Sequence, residues 1–385
     1  MRSLKFALTI LLVILYRSSF SQSDSCSIKV SLLTCSPGTE LYSIFGHTAI
    51  RVRDDSNFDI IYNYGTFDFE DPDFYKKFVK GKLRYFVSAE MFDTFVLEYQ
   101  YEKRGIVEQQ LNMSCGERQR LFDALRENSK EENKYYEYQY LFDNCSTRPR
   151  DIIAKGFNGT ISFKNILPFP PPTYRNLIHE YLDKGEQHWS KFGIDLLLAS
   201  RIDRKVTDLE AMFLPDYLER GFDSATVDGR RTVSEKKVLL RNMRASNQRD
   251  PWFTPLLLTS VLLVIGIILT FIKTRRAQKL TDVFDIAYFL ILGLMGCFML
   301  FMWFGTDHEL CRDNYNLLWA LPTHAVMAFF VLKKKPFVKK YFGVSALLAA
   351  LFLISLPILP QEMNSAFLPL ILLSAIRSIS RYMKK

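Results

Sequence analysis

The chain reads as an α+β domain followed by an all-α membrane domain, and three observations predict this. Short alternating segments and amphipathic stretches fill the chain up to Asp250. Long apolar runs dominate from Trp252 onward. The basic residues gather in the gaps between those runs. A chain of 385 residues is long enough for two such units.

At the N-terminus, Arg2 and Lys5 precede the apolar run Phe6 to Tyr16, and Ser19-Phe20-Ser21 supplies small residues for cleavage. This predicts a signal peptide over 1–21 and an exported domain beyond it, with an uncleaved anchor as the alternative. Ser23-Asp24-Ser25 lacks the apolar residue expected before a lipidated cysteine, so Cys26 is not read as a lipid anchor. The domain plan is then 22–168 for an exported catalytic unit, 169–250 for a helical extension after Phe169-Pro170-Pro171-Pro172, and 251–385 for the membrane unit.

The formal charge of +9 invites a polyanion site, but its placement excludes a nucleic-acid partner. Lys273, Arg275, Arg276 and Lys279 follow the first apolar run. Lys333, Lys334, Lys335, Lys339 and Lys340 follow the third, and Arg381, Lys384 and Lys385 end the chain. These outnumber the whole excess, which is the signature of membrane topology. Spans are predicted at 254–272, 284–304, 317–332, 342–359 and 366–380, the third being short and the fifth carrying Arg377. Five crossings put every basic gap on one side, and put 305–316 and 360–365 on the exported side. That exported loop holds His308, Asn314 and Asn316, and His324 lies about 12 Å into the third span from Asn316. A polar group at that depth lines a cavity or bonds a neighbouring helix.

In the exported half, alternation and turn residues predict strands at 27–34, 47–53, 59–64 and 81–87. Apolar spacing predicts helices at 69–78, 91–100, 117–128, 174–182 and 195–209, and Cys145 precedes a short helix through Lys155. Pro149 suits a first helical turn, so that helix starts after the cysteine. His47 opens a strand and Cys145 follows Asp143-Asn144, which makes a thiol–imidazole pair the leading site. A thiol with an ordinary pKa near 8.5 needs an imidazole or a helix N-terminus to supply the thiolate at neutral pH. Asn63, on the strand after His47, is placed to orient the imidazole, with a structural asparagine as the equal alternative. Cys26, Cys35, Cys115 and Cys311 can pair in an oxidising compartment, with connectivity left open. No metal-binding spacing is present, and no cofactor is expected.

Several motifs carry a resemblance. Ser36-Pro37-Gly38, Gly46-His47-Thr48-Ala49-Ile50-Arg51-Val52, Tyr62-Asn63-Tyr64-Gly65 and Asp143-Asn144-Cys145-Ser146-Thr147-Arg148 resemble the periplasmic domain of the bacterial lipoprotein N-acyltransferases called Lnb. So do Arg201-Ile202-Asp203, Met212-Phe213-Leu214-Pro215, and Asn314-Tyr315-Asn316-Leu317-Leu318-Trp319 before Pro322 and His324. The His-then-Cys order is also similar to the permuted papain-like fold of lecithin retinol acyltransferase. The length between His47 and Cys145, and Pro149, are departures from that second pattern.

The resemblance implies a papain-like exported domain of the permuted thiol-acyltransferase type, ahead of five transmembrane helices in the inner membrane. It implies transfer of an acyl chain from a phospholipid to the α-amine of a diacylglyceryl-cysteine lipoprotein through an acyl-Cys145 thioester. His47 and Asn63 complete the expected catalytic set. Asn144, Arg51, Arg148, His308, Asn314, Asn316 and His324 are expected to bind substrate. Two other readings compete: a papain-like cell-wall peptidase or amidase, for which five spans are superfluous, and a non-enzymatic membrane sensor, which lacks a sizeable cytoplasmic domain.

Overall fold

A computed structural model describes residues 26–68, 70–243, 252–272, 274–333 and 335–384. The signal peptide expected over 1–21 lies outside the described residues. The exported part is built on a seven-stranded antiparallel sheet in the order β6-β4-β3-β2-β1-β5-β9. Its strands are β1 (Lys29–Cys35), β2 (His47–Arg53), β3 (Asp59–Thr66), β4 (Arg84–Met91), β5 (Ile106–Leu111), β6 (Tyr135–Glu137) and β9 (Val233–Leu240). The two-residue strands β7 (Thr226–Val227) and β8 (Arg230–Arg231) form a separate ribbon.

Successive side chains of a strand point to opposite faces, so a strand buried on both sides reads as a nearly continuous apolar run. That is the state of β1 and β2. Val30, Leu32, Ile50, Val52, Tyr62 and Tyr64 pack with Leu121, Leu125, Ile152 and Ile153 of the helices Cys115–Asn128 and Thr147–Gly156. On the other face, Leu33, Cys35, Ala49 and Ile61 pack with Phe95 and Tyr99 of the helix Phe92–Tyr101. The helix Cys115–Asn128 starts with a capping box between Ser114 and Glu117, and Cys115 is bonded to Cys26. Cys35, Cys145, Cys297 and Cys311 are free thiols.

The predicted α+β class holds, with differences in detail. β5 and β9 are not anticipated by the sequence reading. Neither shows a clean apolar alternation: β5 buries Glu108 and Gln109, and β9 exposes Glu235, Lys236 and Lys237 in succession at the sheet edge. The segment 169–250, read as helical, therefore also supplies an edge strand to the main sheet. The helix expected over 195–209 is instead three pieces: the end of the helix His188–Leu197, a 3-10 turn at Ser200–Asp203, and the short helix Asp208–Ala211. Between them, Arg175 folds underneath and donates to the carboxylates of Asp195 and Asp203 and to the Leu198 and Ala199 carbonyls, which closes the turn.

The C-terminal part is helical. Arg275–Phe304 and Pro336–Ile358 are long and apolar enough to cross a membrane, and Pro255–Phe271 is apolar and shorter. Arg377 sits in the last helix, Phe367–Met383, and donates to both carboxylate oxygens of Asp285 at 2.6 and 2.8 Å, with Arg381 on the same carboxylate. This pairing explains a charge inside an apolar run. The span expected over 317–332 is not a continuous helix. It consists of the 3-10 turn Tyr315–Leu318, the helix Thr323–Met327 and the 3-10 turn Ala328–Phe330. Pro322 interrupts the ladder, and the backbone at 320–325 lies directly on Gly293 and Gly296, where any Cβ would collide.

The two halves are stitched by buried amides. Asn316 Nδ2 donates to the Asp195 and Leu196 carbonyls at 3.0 and 3.2 Å, and its Oδ1 accepts from Trp319 Nε1 at 3.0 Å. Asn314 Nδ2 donates to the Leu196 and Leu197 carbonyls. Asn316→Ala removes these bonds and leaves buried groups unpaired, which costs about 2–4 kcal/mol. The expected outcome is a clear fall in the thermal midpoint in detergent, followed by tryptophan fluorescence. An unchanged midpoint would remove the junction from the account of stability.

Candidate active site

Cys145 is held by the residue before it. Asn144 is buried, its Nδ2 donates to the Tyr140 and Phe213 carbonyls at 2.8 Å each, and its Oδ1 accepts from the Ser146 and Thr147 amides at 2.8 and 2.9 Å. Asn144 thus caps the helix Thr147–Gly156 in place of Ser146, which makes no side-chain cap. Pro149 lies in the first turn, where its missing N–H is not needed.

The thiol sits at the open end of β2 and β3. A Cβ on Gly65 would stand 3.3 Å from Cys145 Cβ, and Gly65 has φ +89°, so this close approach favours glycine. The β2–β3 register pairs Ala49 with Asn63; continued by two residues, it sets His47 opposite Gly65. Thr48 Oγ1 and Ser146 Oγ are 2.9 Å apart and clamp the cysteine loop to β2. The Thr48 amide and the Ser146 and Tyr138 hydroxyls hydrogen-bond the sulfur. Imidazole and thiol are therefore brought to the same end of two central strands from positions 98 residues apart in sequence.

A chain of bonds fixes the imidazole. His47 Nε2 lies 3.0 Å from Asn63 Oδ1, and Asn63 Nδ2 donates to Glu90 Oε1 at 2.7 Å. Because Glu90 takes the amide N–H, Asn63 presents its oxygen to His47, and an amide oxygen only accepts. Nε2 therefore carries the proton, and Nδ1 of the neutral ring is the basic nitrogen. Glu90 is the member of this hydrogen-bonded chain that sequence reasoning missed. It stands at an alternating position of β4, and only the β3–β4 pairing of Ile61 with Glu90 brings it to Asn63.

Electrostatics keeps the pair neutral at rest. Burial pulls the His47 imidazole down to about 4, against the Asn63 bond. Burial also pushes the Cys145 thiol above its ordinary value, opposed by the Thr48 amide, the Ser146 hydroxyl and the Tyr138 hydroxyl. Burial raises the Glu90 carboxyl as well, with Glu98 adding to the effect and the Asn63 bond opposing it. Ser146 and Thr147, the first amides of the helix, are already occupied by Asn144, so they are not free to stabilise charge on a substrate.

Several residues expected to bind substrate also have structural partners within the chain. Arg51 is buried under the Phe92 ring and pairs with Asp59 and Glu108, on the face of the sheet that carries the helix Phe92–Tyr101. Asn144 spends its amide on backbone groups, and Asn314 and Asn316 do the same at the domain junction. His324 is fully buried between Tyr341 Oη, 2.9 Å from Nδ1, and Ser345 Oγ. His308 donates from Nε2 to the Phe78 carbonyl at 3.0 Å. Arg148 is near the site, but its guanidinium forks onto Asp143 and stacks on Tyr136 at 3.5 Å. Among the described residues no cluster of His, Cys, Asp and Glu is arranged to hold a metal ion.

The fold thus defines an α+β domain with a free thiol, Cys145, and an oriented imidazole, His47, toward the same end of its central strands, together with a helical apolar domain. Residues 17–180 match the Lnb N-terminal periplasmic domain, and residues 246–385 match the Lnb transmembrane domain. The chain belongs to the Lnb family, with a periplasmic domain ahead of a membrane domain. No curated protein and no solved structure matches it.

Two measurements check the electrostatics. Alkylation of Cys145 by iodoacetamide, read peptide by peptide, is expected still to climb above neutral pH, since burial lifts the folded thiol above its ordinary value; a plateau near neutrality would mean a standing thiolate. For His47, the unfolded ring takes a proton near 6.5 and the folded ring only near 4. Its contribution to stability is therefore complete above 6.5 and lost as pH falls toward 4. His47→Gln is expected to flatten that part of the stability–pH curve, measured by denaturant midpoints from pH 4 to 7.

Proposed function

We propose that this protein is a lipoprotein N-acyltransferase working through an acyl-Cys145 thioester. The observation that carries the reading is the unpaired Cys145 packed on Gly65, at the strand end where His47 stands with its tautomer set by Asn63 and Glu90. Family membership supports the same activity class.

In the first half-reaction, His47 Nδ1 takes the thiol proton as sulfur attacks the ester carbonyl of a membrane phospholipid. The Cys145 amide and the Tyr138 hydroxyl stabilise the oxyanion as it forms. The imidazolium then returns its proton to the departing lysolipid oxygen, which leaves the acyl thioester. In the second half-reaction, the α-amine of a diacylglyceryl-cysteine attacks the thioester, His47 accepts the amine proton, and that proton restores the thiol as the amide forms. Neutral partners suit this sequence, because the base must hold a lone pair when the thiol gives up its proton. The membrane domain serves the same end, since donor and acceptor are both anchored in the bilayer.

The direct test is mass spectrometry of a lipoprotein's N-terminal peptide, from cells that rely on this protein or on its Cys145→Ala variant. A third acyl chain on the amine with the wild type, absent with the variant, is the expected result. Retention of that chain in the variant would remove Cys145 as nucleophile, and absence in both would remove N-acylation. His47→Ala is expected to lower the rate by about 10²–10⁴-fold. Asn63→Ala, which frees the ring to turn, is expected to lower it by about 10–100-fold.

A further inference from the structure

The helix Phe74–Lys80 is exposed along most of its length. Only Phe74 is buried, while Tyr75 is 78% and Phe78 51% exposed, and Val79 is exposed beside them. Lys76 and Lys80 share the helix, and Lys82 follows it; Lys76 and Lys82 keep exposed, long ion pairs to Asp73 and Asp307 at 3.8 and 3.5 Å. A short segment with aromatic and aliphatic side chains beside lysines matches the composition of the membrane–water boundary.

Its position fits that composition. Asp307 N donates to the Lys80 carbonyl at 3.0 Å, and His308 Nε2 donates to the Phe78 carbonyl at 3.0 Å. Gly81, at φ +72°, lets the chain lie against Asp307, where a Cβ would stand 3.3 Å from its backbone. Asp307 comes three residues after Phe304, the end of the apolar helix Arg275–Phe304. Three extended residues span about 10 Å, so Lys80 is held within that reach of the end of a helix long and apolar enough to cross a membrane.

From this helix, rings run without a break to the thiol. Phe78 stacks parallel to Phe74 at 6.2 Å, Phe74 meets Phe67 at 5.8 Å, and Phe67 meets Tyr85 at 5.4 Å. Tyr85 stacks on Tyr138 at 4.2 Å, and the Tyr138 hydroxyl reaches Cys145. Tyr42, 66% exposed, lies 6.4 Å from Phe67 and widens the outer end.

We infer that the helix Phe74–Lys80 lies in the headgroup boundary of the outer leaflet, and that the Phe67–Tyr85–Tyr138 strip guides a lipid acyl chain from there to Cys145. The inference deepens the acyl-transfer reading and rests on it for the role of the strip. The lysines meet lipid phosphates, while Tyr75, Phe78 and Val79 meet the chains just beneath. His308, expected from sequence to touch substrate, acts by holding this helix in place.

The experiment uses the full chain in vesicles of phosphatidylethanolamine and phosphatidylglycerol. Benzoylphenylalanine is placed at Phe78 or, as a control at the far end of the β2–β3 hairpin, at Asp55. Irradiation is expected to give phospholipid adducts at position 78 at least about fivefold above position 55. Equal yields would overturn the membrane contact. The paired substitution Tyr75→Lys and Phe78→Lys, both at exposed sites, tests the route. It is expected to lower the ratio of long-chain phospholipid turnover to p-nitrophenyl acetate turnover by at least about tenfold. An unchanged ratio would overturn the route. Failure of the wild type to form an acyl-Cys145 adduct with p-nitrophenyl acetate would count against the acyl-transfer reading alone, since the crosslinking result is independent of it.

Discussion

The buried side chain of Asn144 is the constraint on which the site depends. One amide satisfies two carbonyls, from the tyrosine-rich segment and from Phe213, and two amides that open the helix behind Cys145. The cysteine segment and the distant stretch at Phe213 meet on it. Without it, four backbone groups would be buried unpaired, at a cost of roughly 1–3 kcal/mol each. The cysteine has little freedom as a result. Gly65 leaves room for it on one side, and the Thr48–Ser146 contact closes the other.

The site is tuned by burial more than by charge. A standing thiolate–imidazolium pair needs an electropositive setting or free helix amides. Here Asn144 consumes the nearest amides, and burial disfavours both ions. What remains is an oriented base and a neutral thiol, so ionisation accompanies attack. Glu90 matters to this because it decides which end of the Asn63 amide His47 meets. Cys35, buried with its thiol pushed up to about 12, stays inert close by, and Cys26–Cys115 is the bonded pair.

Much of this was legible in the residues. β2 begins and ends where alternation and the Asp54-Asp55-Ser56-Asn57 turn place it, and the helix behind Cys145 starts where Pro149 requires. His47, Asn63 and Cys145 each stand out by residue type and by position at an element end. Pairing partners were not legible, because register across a sheet is set by distant contacts that a local pattern does not carry. That is why Glu90, β5 and β9 escaped notice, and why the pairing of buried Arg51 with Asp59 and Glu108 was not foreseen. In the membrane half, composition located the apolar runs. It did not reveal that 317–332 would break into short turns, since that depends on Gly293 and Gly296 lying opposite.

The sheet is tethered near both of its edges. At one edge, β9 is the last strand before the chain enters the apolar domain. Toward the other, the connection between β3 and β4 is bonded to the loop after Phe304. A domain hung from one linker would swing and tilt over the bilayer. One braced at two separated points behaves as a bracket, with its reactive sulfur at a set height and orientation. In the proposed acyl transfer, substrates would then reach that height by lateral diffusion and by partial withdrawal of a chain from the leaflet. Under that proposal, the geometry of the mounting would favour lipids whose reactive bond lies near the surface.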